Sequence, residues 1–121
     1  MPPDDADRDV ALLLDMLNAA RECTGYVVSV DFKTFEKDRM RVRAVERTLE
    51  IVGEAARGLS DGLRQRFPQT PWRLIVGQRN FIAHVYDAVE ESRLWDVARN
   101  RLSPLIGELE AILAQMGKAG G

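Results

Sequence analysis

The segment Gly77–Tyr86 (G-Q-R-N-F-I-A-H-V-Y) gathers the side chains of this sequence that are best suited to acid–base chemistry. It contains His84, the only histidine, with Arg79 and Asn80 upstream and Tyr86 two residues downstream. An imidazole titrates near neutral pH and can therefore give or take a proton, while a guanidinium can stabilise developing negative charge. The segment is therefore either a catalytic site or the polar end of a core helix.

A helix over this segment would divide its polar side chains between two faces. One face carries the residues that are spaced by four, three and four positions, with a glycine leaving room between them: Arg73, Gly77, Asn80 and His84. Arg79 lies at the edge of the core-facing side, and an ideal helix separates it from His84 by roughly 140°. We therefore expect a site at a helix end, completed by the reach of the arginine or by a second subunit across a twofold axis.

Each of these residues also has a purely structural interpretation. His84 would be stabilised at the negative end of a helix dipole. Arg79 and Asn80 could form a buried hydrogen-bonded cap, and Tyr86 could be a half-buried ring with a satisfied hydroxyl. The concentration of four such residues in eight positions favours a functional site, although spacing alone leaves both interpretations open.

The rest of the sequence predicts an all-α fold, an antiparallel bundle of four main helices plus a short one. The first helix begins at acidic residues after Pro3 and ends near Thr24, with Gly25 as its stop. Its apolar stripe is Val10, Leu13, Leu14, Leu17 and Ala20. Tyr26–Val30 has β propensity but no partner strand, so it is an extended connection or a continuation of the helix. Asp31 or Thr34 then caps the next helix.

The second helix carries the longest regular seam: Val42, Val45, Leu49, Val52, Ala56 and Leu59. Its first half is basic, with Lys33, Lys37, Arg39, Arg41, Arg43 and Arg47. These charges form either a solvated face interleaved with acids or a strip that meets a polyanion. Glu54, which follows Gly53, is either a surface acid or a partner for an arginine elsewhere.

Two further helices and a short one complete the bundle. Ser60-Asp61 opens the short helix, which ends at Phe67-Pro68, and Thr70-Pro71 starts the third main helix. The predicted core of the third helix is Trp72, Ile75, Val76, Phe81 and Ile82. The fourth has an apolar stripe of Leu94, Val97, Leu102, Leu105, Leu109, Ile112 and Met116. Pro104 should kink or divide it near Arg101–Ser103.

Length and composition narrow the class of protein. The 121 residues favour one domain, which we expect to span residues 1–116, followed by a flexible tail at 117–121. A net charge of −2 argues against a general nucleic-acid coat protein but not against a selective RNA enzyme. The lone Cys23 fits a reducing compartment, the acidic N-terminus does not resemble a secretory signal, and no apolar run is long enough to cross a membrane. We therefore expect a cytoplasmic protein that is not associated with membranes.

Arg79 to Tyr86 matches the R-x4-H-x-Y signature of the HEPN superfamily, and the chain resembles its HepT-like ribonuclease toxins from about Asp9 to Met116. Other segments that resemble this family are Phe35–Asp38, Glu50–Ala56 and Pro71-Trp72. Gln78 stands where a methionine is more familiar.

The resemblance implies a metal-independent endoribonuclease toxin with no cofactor. Within it, His84 would act as acid or base, Arg79 would stabilise the transition state, and Asn80 would orient the histidine or the phosphate. Two copies of His84 would meet in a homodimer or a higher oligomer. Glu54 and Arg73 are candidate supporting residues.

The resemblance also implies a partner, an MntA-like nucleotidyltransferase antitoxin that transfers AMP to Tyr86. Two alternatives remain open: a non-catalytic HEPN module that binds RNA, nucleotide or a partner protein, and a plain helical interaction domain.

Overall fold

The structure is a computed structural model that describes the backbone of residues 3–77 and 88–120 and the side chains of residues 5–77 and 91–117. The described elements are α1 (Pro3–Val27), α2 (Phe32–Lys37), α3 (Arg39–Gly58), α4 (Asp61–Arg66), α5 (residues 72–77), α6 (Ala88–Asp96), a π-helical turn (Val97–Arg101) and α7 (Leu102–Gly120). No strand occurs in these ranges, which confirms the all-α prediction.

Helix α1 is the central element of the described fold, because it packs against α3 and also against α7. Its fully buried positions recur at steps of four and three: Asp9, Leu13, Met16, Ala20, Cys23 and Val27. The predicted stripe was wrong at Leu14, which is 44% exposed. A helix between two neighbours buries a broad face, and Met16 lies within that face whereas Leu14 lies outside it.

The predicted stop of α1 at Gly25 was also wrong, since the helix continues to Val27. The carbonyl of Tyr26 accepts a hydrogen bond from Arg41 Nη1 (2.7 Å), and the carbonyl of Val27 accepts one from Arg99 Nη1 (3.1 Å). Two guanidinium groups from other elements thus bind carbonyls at the helix end, and the carbonyl of Val27 also accepts a hydrogen bond from the N–H of Val30 (3.4 Å). The end of α1 is therefore set by tertiary contacts and needs no left-handed glycine.

The long second helix of the prediction is divided into α2 and α3 at Asp38. Asp38 is extended (φ −91°, ψ 92°), and its Oδ1 accepts a hydrogen bond from the backbone N–H of Arg41 (3.2 Å). Of the two predicted caps of α2, Asp31 performs this role and accepts from the N–H of Thr34 (2.8 Å). The predicted seam of α3 is confirmed at every position: Val42, Val45, Leu49, Val52, Ala56 and Leu59 are buried.

Helix α4 begins and ends as predicted and is tied to α1. Ser60 caps it by accepting a hydrogen bond from the N–H of Leu63 (3.2 Å). The backbone N–H of Ser60 donates to Oδ1 of Asp9 (2.9 Å), and its hydroxyl donates to Oδ2 (2.6 Å). Asp9 is only 1% exposed, so a buried side chain of α1 fixes the start of α4.

The π-helical turn accounts for the interruption that the sequence predicts near Pro104. Helix α7 starts at Leu102 directly after the π-helical turn, and Pro104, which has no N–H to donate to that turn, lies in the first turn of α7. A π turn holds an additional residue, which shifts the apolar stripe by one position. Ala98 is accordingly buried in place of the predicted Val97, which is half-buried. The other stripe predictions for this helix are confirmed: Leu94, Leu102, Leu105, Leu109, Ile112 and Met116 are buried.

Side chains also bridge the π turn. Asp96 accepts hydrogen bonds from Asn100 Nδ2 (3.0 Å) and from Arg101 Nε (3.0 Å). The bond from Asn100, followed by that from Arg101, lowers the pKa of Asp96. Helix α7 then continues to Gly120 and includes most of the segment for which the sequence predicts a tail. Among the described helices, none has the length and apolar character required to cross a membrane.

Candidate functional site

The side chains to which the sequence assigns chemistry or modification lie outside the described residues: Arg79, Asn80, His84 and Tyr86. The same holds for the predicted core residues Phe81 and Ile82. The structure describes the elements on either side, α5 up to Gly77 and α6 from Ala88.

The N-terminal flank of the motif is fixed at the turn between α4 and α5. Trp72 is 8% exposed, and its Nε1 donates a hydrogen bond to the carbonyl of Phe67 (3.0 Å). The N–H of Ile75 donates to the carbonyl of Pro71 (3.1 Å), which closes the first turn of α5 directly after the predicted Thr70-Pro71 start. Burial of Trp72 and Ile75 agrees with the predicted core and anchors α5.

The C-terminal flank is held by polar and aromatic contacts to α2 and α3. Glu91 on α6 accepts a hydrogen bond from Arg39 Nη1 (2.6 Å). The ring of Trp95 contacts Phe35 (centroids 5.3 Å apart) and Phe32 (5.9 Å, edge to face). Both neighbours of residues 78–87 are therefore attached to the body of the fold.

An open groove of about 810 Å³ runs between α4 and α5. We call it the α4–α5 groove. Its lining residues are Asp61, Arg64, Gln65, Pro68, Trp72, Arg73, Val76 and Gly77. One lining residue, Gly77, is directly followed in sequence by residues 78–87. The groove is therefore the described surface that adjoins the motif along the chain.

The two guanidinium groups in the groove differ in their pairing. Arg64 Nη2 contacts Asp61 Oδ1 at 2.8 Å. Arg73 is exposed and makes no hydrogen bond or ion pair with any residue that the structure describes. Among the described residues, Arg64 therefore has an ionic partner in the groove and Arg73 has none.

The basic strip of α2 and α3 is paired more fully. Each of its arginines lies within ion-pair distance of a carboxylate, in the pairs Arg39–Glu91, Arg41–Asp38, Arg43–Glu46 and Arg47–Glu50. Arg41 is also committed to the end of α1. This arrangement favours the interpretation of the strip as a solvated face interleaved with acids.

The predicted supporting residues lie on different elements. Arg73 and Gly77 both line the α4–α5 groove, as expected of one helix face, and a Cβ added at Gly77 would meet no atom within 4 Å. Glu54 is exposed on α3, between the buried residues Gly53 and Ala55.

The groove also contains two residues that the sequence analysis did not single out, Arg64 and Gln65. The basic last turn of α4 was a local signal for Arg64 but not for Gln65, and the sequence did not indicate that α4 and α5 form a groove.

Comparison with known proteins identifies the family. A family model described as Ribonuclease HepT-like matches residues 16–112. The chain belongs to the HepT-like ribonuclease family. The match includes α3 to α6 and the whole R-x4-H-x-Y motif. It confirms the family and the ribonuclease class that the motif predicts.

Individual relatives cover most of this HepT-like chain. "Putative RNase MJ1380" of Methanocaldococcus jannaschii is 34% identical over 87% of the chain and 97% of its own length. "Putative RNase MJ0127" of the same organism is 30% identical over 85% of each. "Probable ribonuclease HepT" of Thermococcus cleftensis is 28% identical over 83% of the chain and 91% of its own length. No solved structure matches the chain.

Proposed function

We propose that this HepT-like chain is a metal-independent endoribonuclease, with residues 1–116 as its single domain, that acts in the cytoplasm as the toxin of a toxin–antitoxin system. The observation that carries the proposal is the family match over residues 16–112, because it includes the R-x4-H-x-Y motif. The names of the relatives as ribonucleases support the same reaction class.

RNA supplies its own nucleophile, the 2′-hydroxyl group. His84 removes the proton from that hydroxyl, and the 2′-oxygen forms a bond to phosphorus. The bond between phosphorus and the 5′-oxygen breaks, and this oxygen receives a proton from an acid. Arg79 stabilises the charge on the phosphate oxygens in the transition state, and Asn80 orients the histidine or the phosphate. The products are a 2′,3′-cyclic phosphate and a 5′-hydroxyl.

A homodimer supplies the second proton-transfer group. One imidazole cannot be base and acid in a single step, and His84 is the only histidine of the chain. A twofold axis would bring a second His84 to the site. We expect a bell-shaped dependence of the cleavage rate on pH, because one imidazole must be neutral and the other protonated.

The proposed antitoxin is an MntA-like nucleotidyltransferase that modifies Tyr86. The phenol oxygen of Tyr86 forms a bond to the α-phosphorus of ATP, pyrophosphate leaves, and the phenol proton passes to a base. The added AMP brings bulk and a negative phosphate close in sequence to Arg79 and His84. It would compete with RNA for the arginine and repel the substrate backbone.

RNA cleavage in the presence of EDTA tests the enzyme. Wild type should remain active with the chelator, and His84→Ala and Arg79→Ala should each lose about a hundredfold or more in rate. Arg21→Ala is the matched control, because Arg21 is an exposed arginine that pairs with Glu110 between α1 and α7 (2.7 Å). Activity that survives both motif substitutions would refute the site, and a product with a 3′-hydroxyl would refute attack by the 2′-oxygen.

Mass spectrometry after co-expression with the nucleotidyltransferase tests the modification. One AMP should be found on Tyr86 and none on the Tyr86→Phe variant. Tyr26 is the other tyrosine of the chain, so Tyr26→Phe is the control and should still be modified. AMP on Tyr26, or on the Tyr86→Phe variant, would contradict the assignment. An unmodified dimer that binds RNA but cleaves none would instead support a non-catalytic HEPN module.

A further inference from the structure

The α4–α5 groove contains an arginine that has no ionic partner among the described residues, and the groove adjoins the motif along the chain. Arg73 lines it, is exposed, and has no ionic partner among the described residues. Arg73 lies one helical turn before Gly77, which also lines the groove and is followed two positions later by Arg79. A polyanion that occupies this groove would thus lie next to the segment that carries the proposed catalytic residues.

Arg64 and Gln65 supply further donors from the opposite wall. The pair between Arg64 and Asp61 is solvent-accessible, because the Asp61 side chain is 86% exposed. Exposed ion pairs contribute little free energy, so a phosphate group can replace Asp61 as the partner of Arg64. Gln65 is exposed and can donate through its amide group.

The aromatic residue of the groove is unsuited to stacking on a base. Trp72 is 8% exposed, and its indole N–H is bonded to the carbonyl of Phe67. Proteins usually bind single-stranded RNA with a positively charged groove and with exposed aromatic rings on which the bases stack. The α4–α5 groove has the positive charge but no exposed aromatic ring among its described lining residues. Its donors therefore suit the sugar–phosphate backbone, which has the same chemistry at every nucleotide.

We propose that the α4–α5 groove is a substrate subsite that binds the phosphate backbone of single-stranded RNA beside the scissile bond. Arg73 is the main phosphate contact, and Arg64 and Gln65 assist it. This inference rests on the proposed function and adds that the subsite contributes affinity without sequence preference. It also distinguishes the groove, which adjoins the motif along the chain, from the strip on α2 and α3.

Binding of a 2′-O-methyl RNA decamer tests the subsite, because methylation removes the nucleophile and separates binding from cleavage. By fluorescence anisotropy, Arg73→Gln should weaken the Kd roughly tenfold, as expected for loss of one charge-assisted contact. The slope of log Kd against log salt concentration should fall by about 0.7, the value for one phosphate contact on a single strand. Uridine and adenosine decamers should lose affinity by similar factors.

Two arginine variants serve as controls for loss of the same charge elsewhere. Arg21→Gln removes a positive charge from the surface between α1 and α7, and Arg47→Gln removes one from the α3 strip. Both should change the Kd by less than about twofold. If Arg21→Gln loses as much affinity as Arg73→Gln, the effect depends only on the net charge of the protein. If Arg47→Gln loses more affinity than Arg73→Gln, the RNA binds to the strip rather than to the groove. Either result overturns the proposal.

A pair of substitutions at Gly77 probes the groove with side chains of equal size. An added Cβ meets no atom within 4 Å there, so both variants should fold. Gly77→Glu places a negative charge in the groove and should weaken binding several-fold, whereas Gly77→Gln should bind nearly as wild type does. Equal affinities of the two variants would exclude an electrostatic role for this part of the groove.

The outcomes also separate this proposal from the proposed enzymatic function. If wild type cleaves RNA but Arg73→Gln binds the methylated decamer with unchanged affinity and salt slope, the subsite is refuted and the ribonuclease stands. If wild type cleaves no RNA but binds it in an Arg73-dependent way, the enzymatic function is refuted and the subsite stands. Absence of RNA binding by wild type would overturn the subsite directly.

Discussion

Replacing Asp9 by alanine should destabilise the protein more than replacing any other acidic residue whose side chain the structure describes, because Asp9 is buried and holds the start of α4. Its carboxylate accepts two hydrogen bonds from Ser60, one from the backbone N–H (2.9 Å) and one from the hydroxyl (2.6 Å). A hydrogen bond to a charged group contributes about 1.5–3 kcal/mol. The two bonds share one residue and are not additive, so we expect a loss of about 3–4 kcal/mol in the free energy of unfolding.

The effect should be concentrated where α4 begins. Ser60 also accepts a hydrogen bond from the N–H of Leu63 (3.2 Å), and loss of a cap of this kind costs about 1 kcal/mol. Without Asp9, the N–H of Ser60 loses its hydrogen bond to the carboxylate in a partly buried position, and the hydroxyl is no longer oriented by that carboxylate. Hydrogen exchange of the Leu63 amide should therefore accelerate more than exchange in α3.

Urea unfolding followed by circular dichroism measures the loss, and a matched acidic residue controls for charge. Asp7 is exposed on the same helix, so Asp7→Ala should change the free energy of unfolding by less than about 0.5 kcal/mol. Asp9→Asn keeps the shape of the side chain and one acceptor oxygen, and should lie between wild type and Asp9→Ala. A domain of this size usually has about 5–15 kcal/mol of stability, so the variants should remain folded at low urea concentration.

A double-mutant cycle with Ser60→Ala isolates the interaction. If Asp9 acts through Ser60, the double variant should be less destabilised than the sum of the single variants by about 1 kcal/mol or more. A loss of under 1 kcal/mol for Asp9→Ala, or strict additivity in the cycle, would refute the reasoning.

Four further outcomes follow from described contacts. Burial raises the pKa of the Cys23 thiol to about 11 against the opposing hydrogen bond with Thr48, so a disulfide reagent at pH 8 should label it only after urea unfolding. Because the folded pKa lies above the ordinary value of 9.0, the stabilising effect of the neutral thiol is complete below pH 9, and unfolding curves should show it being lost as the pH rises towards 11. Trp72→Phe removes the indole hydrogen bond to its backbone acceptor and should lower the free energy of unfolding by about 1 kcal/mol, which a change in the urea midpoint measures. Arg39→Gln breaks the ion pair with Glu91 at 2.6 Å and should cost under about 1 kcal/mol, with the difference from wild type reduced in 1 M salt.

The parts of the fold that the sequence predicts well are those with a local cause. The seam of α3 is buried throughout because apolar spacing fixes a helix face wherever that helix packs. The starts of α4 and α5 are marked by neighbouring residues, namely the Ser60 cap and Pro71, although the distant Asp9 also holds Ser60 in place. These signals act over a few residues and are visible in the chain itself.

The errors occur where distant groups decide the local structure. Gly25 does not end α1, because Arg41 and Arg99 approach its last carbonyls from elements that lie far along the chain. Leu14 is exposed because the buried face of α1 is defined by two neighbouring helices whose positions no spacing pattern reveals. The division between α2 and α3 at Asp38 was indicated locally by an aspartate, which is a common helix cap. The sequence analysis missed it because the helical pattern continues on both sides of Asp38.

In the candidate site, too, the sequence predicts what a contiguous segment encodes but not what depends on contacts between distant segments. The R-x4-H-x-Y motif is contiguous, so the sequence alone identified Arg79 and His84 as catalytic candidates, which remain predictions. The α4–α5 groove is formed by two helices that the sequence does not show to be neighbours. Nothing in the sequence therefore connects Arg64 with Arg73, whereas the structure shows that both line the groove.

The number of arginines on a helix is a poor measure of its capacity to bind RNA. The α3 strip has more cations than the groove, but its described arginines already contact carboxylates. Exchange of an exposed carboxylate for a phosphate costs at most about 1 kcal/mol, so pairing alone would not exclude the strip. Position is the stronger criterion, because Arg73 lies one turn before Gly77, a lining residue of the groove that directly precedes residues 78–87 in sequence. We propose that a cation there holds the same strand that the motif is proposed to cleave, and the comparison of Arg73→Gln with Arg47→Gln tests this distinction.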